Sequence, residues 1–70
     1  MSNVDYQFPY KGYQIAIAEV RMRFTARISR DGGTVAHDGR NSEVWASASC
    51  GSYDRAVAVA MKAINTGEVQ

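Results

Sequence analysis

The stretch from Ser52 to Gly67 constrains this chain most, because it carries a helix start, a helix stop and a helical period together. The Ser52 hydroxyl is placed to accept from the orphan amides of Asp54 or Arg55 in the first turn. Asp54 sets negative charge at the positive end of the helix dipole, and Gly67 tolerates a left-handed closing conformation. At about 100° per residue, Tyr53, Val57, Ala60, Met61 and Ile64 share one stripe, with Asp54, Arg55, Lys62 and Asn65 off it. Such a helix needs a surface to cover. The chain before it offers only strands.

Residues 13–20 read as a first strand, with Tyr13, Ile15 and Ile17 on one face and Gln14, Ala16, Ala18 and Val20 on the other. Residues 21–29 alternate more cleanly: Met22, Phe24, Ala26 and Ile28 against Arg21, Arg23, Thr25, Arg27 and Ser29. No Gly, Asn or Pro marks the join, so either a short hairpin near residues 20–22 or one long bulged strand fits. The hairpin is favoured, because a 17-residue strand would far exceed the usual length. Arg30-Asp31-Gly32-Gly33 is the clearest turn. A short third strand is expected at 34–37 and a second turn at 38–42. Residues 44–47 form either a fourth strand or a continuation of the third.

Strands first and helix last predict an α+β fold: an antiparallel three- to four-stranded sheet with one C-terminal amphipathic helix on one face. The helix is expected to pack on Ile15, Ile17, Phe24, Ala26 and Ile28, with Trp45 and Tyr53 closing the ends. Residues 1–9 show no period and read as a loose lead-in. The domain spans 10–67, and 68–70 form a tail.

At 70 residues the chain lies near the lower limit for an independent core, so self-association is one way to bury more surface. One cysteine, Cys50, has no internal disulfide partner, and with His37 alone it cannot build a zinc site. A lone thiol fits a reducing, cytoplasmic setting. The N-terminus has neither the basic nor the apolar region of a signal peptide, and no run is long enough to cross a bilayer. Net charge of +1 gives no global attraction to nucleic acid or membrane.

Tyr10-Lys11-Gly12-Tyr13, a strand pair, a Gly-rich turn and the Ser-Tyr-Asp-Arg-Ala helix start together resemble small uncharacterised proteobacterial single-domain proteins. That resemblance spans residues 10–67, implies the same strands-then-helix layout, and brings no catalytic residues. The order also resembles the latter part of double-stranded-RNA-binding domains, without their first helix or the Lys cluster at the start of the last one.

Cys50 and His37 suggest a thiolate and its base, but no third orienting group accompanies them, and Cys50 reads as a junction thiol. The carboxylates show no pairing for acid–base work, and the Gly-rich turns match no phosphate-cradling pattern. No enzyme activity, cofactor or metal is expected. The arginines stand out: Arg21, Arg23 and Arg27 on one strand face, with Arg30 and Arg40 in adjoining loops, would make a positive stripe able to meet phosphate. The plainer alternative is a solvated face that keeps a small sheet soluble. The expected function is a small binding module, for a protein partner or a second copy, with nucleic acid as the alternative.

Overall fold

The computed structural model describes residues 5–70. Four antiparallel strands, β1 (Asp5–Tyr10), β2 (Tyr13–Val20), β3 (Arg23–Ser29) and β6 (Val44–Ala46), form a sheet in the order β1-β2-β3-β6. Between β3 and β6 a separate hairpin pairs β4 (Val35–His37) with β5 (Arg40–Ser42). One helix, α1 (Tyr53–Asn65), follows and packs on β3 and β2. The α+β class with a C-terminal helix is the one expected. Residues 44–46 form a strand of their own, paired with β3.

Two expectations at the chain ends are corrected. Over Asp5–Tyr10 the supposed lead-in is an edge strand in register with β2, from Asp5 opposite Ala18 to Tyr10 opposite Tyr13; residues 1–4 lie outside the described residues. Tyr6, Phe8 and Tyr10 alternate after all, and Pro9 is tolerated because an edge strand can spare a ladder donor. The supposed tail is docked: Val69 is buried, and Ala36 and Gln70 exchange backbone hydrogen bonds of 2.6 and 2.8 Å. Residues 38–42 also differ. Asp38-Gly39 alone makes the turn, and Arg40–Ser42 is paired strand.

Three two-residue loops close hairpins with both residues at positive φ, as type I′ turns require: Lys11-Gly12, Arg21-Met22 and Asp38-Gly39. Glycine holds the second position in two of them. In the β2–β3 loop neither residue is glycine, and φ is 52° at Arg21 and 64° at Met22. Backbone in that region costs a residue with a Cβ about 1 kcal/mol or more. The double change Arg21→Asn/Met22→Gly should therefore raise stability by about 1 kcal/mol. A denaturation midpoint that fails to rise would show that the loop relaxes in solution.

The helix begins and ends as its sequence predicts. Ser52 is extended and its Oγ accepts from the Arg55 amide at 3.1 Å, while Gly67 follows the last turn at φ 80°. Its phase is different. Ala56, Ala60 and Ala63 face the sheet fully buried, whereas Tyr53, Val57, Met61 and Ile64 flank them half-buried. The reason is steric. The sheet supplies the large groups, Ile15, Ile17 and Ile28, all inaccessible to solvent, and small helix residues let the backbones approach over them. Val35 and Val69 complete the core, and at the far end of the helix Lys11 Nζ and the Tyr10 hydroxyl both donate to Asn65 Oδ1, at 2.7 and 3.1 Å.

Candidate functional site

Strand parity divides the sheet cleanly. Residues paired around Ile15–Ile28 and Ile17–Ala26 face the helix, and those around Ala16–Arg27 and Ala18–Thr25 face away. The same register places Gln7 of β1 and Ala46 and Val44 of β6 on the outer face. Helix packing and the buried core lie on the inner side of the sheet. Ala16, Ala18, Thr25 and Ser29 are only half-buried by their neighbours in the sheet, while Arg27, Val44 and Ala46 are exposed.

The floor of this face is small and its rim carries both signs of charge. Ala16, Ala18, Ser29 and Val44 line a shallow trough with Gln7, Arg27 and Glu43. Arg27 and Glu43 share the trough, yet neither makes an ion pair among the described residues.

The five arginines do not converge. Arg23 and Arg27 share the outer face, but the Arg23 guanidinium donates to the Ser49 carbonyl and hydroxyl at 3.3 and 3.2 Å. Arg21 belongs to the β2–β3 turn rather than to a strand. Arg30 is drawn over the Tyr13 ring, 4.7 Å from its centroid, and donates to the Tyr13 hydroxyl at 2.8 Å. Arg40 sits in the separate hairpin.

Cys50 and His37 occupy different places. Cys50 bridges to Phe24 through paired backbone hydrogen bonds of 2.6 and 2.9 Å, and it is half-buried. His37 packs edge-on to Trp45 and reaches Glu68 at 3.6 Å. No hydrogen bond joins the two side chains among the described residues. In the depression at the helix start, lined by Ser49, Cys50, Ser52 and Arg55, both serine hydroxyls are engaged: Ser52 caps the helix and Ser49 holds Arg23. No three metal-ligating side chains come together among the described residues, and none of their helices is long and apolar enough to cross a membrane.

No family model matches the chain, and neither a curated protein nor a solved structure matches it.

Proposed function

We propose that this chain is a non-enzymatic, cytoplasmic binding module whose outer sheet face pairs with a second copy of itself. The observation that carries this reading is the Arg27–Glu43 trough: opposite charges without ion-pair partners among the described residues, beside a floor of small residues. A two-fold contact is isologous, so the Arg27 of each copy can reach the Glu43 of the other while the alanines let the sheets approach. Four strands spaced by about 4.8 Å make a small patch. The contact therefore falls at the low end of specific interfaces, near 1,000 Å² in total, and its affinity is expected to be about micromolar to submillimolar.

Sedimentation equilibrium tests this directly. The average mass should climb from 7.7 kDa toward twice that value as concentration rises. Ala18→Glu should hold the protein at monomer mass with unchanged secondary structure, because it places an unpaired charge in the centre of the contact. A wild type that stays monomeric to millimolar concentration would sink the reading.

Arg23 and Arg27 on one open face favour a second reading, contact with nucleic-acid phosphate. Arg23 is already occupied by Ser49, which leaves Arg27 as the one arginine on the face without a partner among the described residues. A single charge gives little counterion release, so binding of labelled oligonucleotides at physiological salt is expected to be weaker than about 100 µM. A micromolar, salt-sensitive complex abolished by Arg23→Gln/Arg27→Gln would reverse the order of the two readings.

A further inference from the structure

On the inner side of the sheet, away from the outer face, three aromatic rings from three elements meet. Tyr6 of β1 and Tyr53 of α1 stand edge to face, with centroids 5.3 Å apart and planes at 79°. Phe24 of β3 meets Tyr53 in the same manner, at 6.4 Å and 82°. The three rings and the Glu19 side chain line one recess open to solvent. The sheet register explains the gathering. Glu19 is directly opposite Phe24, one inward-facing position beyond Ile17, and Ile17 is opposite Tyr6.

Glu19 is the unusual member. An inward-pointing position at the end of an apolar row ordinarily carries an apolar residue, and this one carries a half-buried glutamate. Among the described residues its side chain makes no ion pair, and none of its oxygens is buried without a partner, so the carboxylate itself meets solvent. A carboxylate with no cation beside it attracts one that enters the recess, and the apolar ring walls weaken the screening of that attraction. The rings act in the same direction, because the face of each aromatic quadrupole is negative. Asp54, in the first helical turn, offsets the positive pole of the helix that Tyr53 begins.

We propose that this recess binds a quaternary ammonium group, with the Tyr6, Phe24 and Tyr53 rings as its walls and Glu19 as its counter-charge. A small hard cation is disfavoured, because it requires six or so oxygen ligands and the recess offers one carboxylate. A primary ammonium is disfavoured by its strong hydration, which aromatic walls do not replace. A methylated ammonium spreads its charge over an apolar surface and loses little water on entry. The group comes either from a free alkylammonium compound or from a trimethylated lysine on a protein. The site is separate from the outer face and does not depend on self-association.

The test is a titration followed by backbone amide shifts, using choline, its neutral isostere 3,3-dimethylbutan-1-ol, and a short peptide with or without trimethyllysine. Saturable shifts at Glu19, Phe24 and Tyr53 are expected with choline, and binding at least about tenfold tighter than the neutral isostere. Glu19→Gln should weaken choline about fivefold while leaving the neutral compound unchanged, and Tyr53→Leu should abolish the preference for charge. Both variants are checked by their amide spectra, and Glu19→Gln, nearly isosteric at a chain position of modest burial, keeps the test open if Tyr53→Leu does not fold. A trimethyllysine peptide bound about tenfold tighter than choline assigns the group to a protein; the reverse assigns it to a small molecule. Equal affinity for choline and its neutral isostere, insensitivity to Glu19→Gln, or no saturable shift with any cation would each overturn the proposal.

Discussion

Replacing Ile28 by alanine is expected to remove about 2–5 kcal/mol of stability, the cost of deleting a large aliphatic group from a close-packed site. Ile28 is inaccessible to solvent and sits between Ile15 on β2 and Trp45 on β6 in the central register of the sheet. A domain of this size holds only about 3–5 kcal/mol in all. The variant should therefore be largely unfolded at room temperature, visible as loss of amide dispersion. Ile64→Ala provides the contrast: Ile64 is half-buried at the flank of the helix, so its truncation should cost clearly less. Equal losses from the two changes would mean that the helix is rotated from the phase described here.

Adding volume under the helix is expected to be nearly as harmful. Ala56 is fully buried against the isoleucine layer, and Ala56→Leu forces three extra carbons into a packed contact. Overpacking of this kind costs about 1–3 kcal/mol, and here it also lifts the helix off the sheet along the row shared with Ala60 and Ala63. A stripe centred on Val57, Met61 and Ile64 would leave position 56 at its margin, where leucine is tolerated. An unchanged or raised midpoint for Ala56→Leu would favour that phase; a clear fall supports the alanine row.

The helix ends were legible because they depend on local chemistry: a serine that caps and a glycine that accepts positive φ. The helix phase was not. Periodicity weighs residues by hydrophobicity, and alanine scores low although three alanines form the contact, because the isoleucines opposite already fill the layer. The β1 strand was hidden because residues 1–9 as a whole show no period, although Tyr6, Phe8 and Tyr10 alternate and Pro9 is compatible with an edge. The β2–β3 hairpin was expected without its reason, since Arg21 and Met22 hold a conformation that neither residue encodes. Both strand faces were readable from the alternation in β2 and β3, and Ala16 and Ala18 stand on the outer face as that alternation requires. The trough was not readable. It depends on Glu43 and Val44 arriving beside Arg27 through a strand separated from it by a second hairpin. The aromatic recess was out of reach for the same reason, as its four residues come from four different elements of the chain.

The most direct test of the outer face as the contact between copies is a dilution series followed residue by residue through backbone amide shifts, from about 1 mM down to about 10 µM, the range in which an interface of this size dissociates. The shifts of Ala16, Ala18, Arg27, Glu43 and Val44 should move together with concentration, while those of Ala56, Ala60 and Val69 remain fixed. Concentration-dependent shifts confined to the β1 edge or the helix, or none at all, would contradict it.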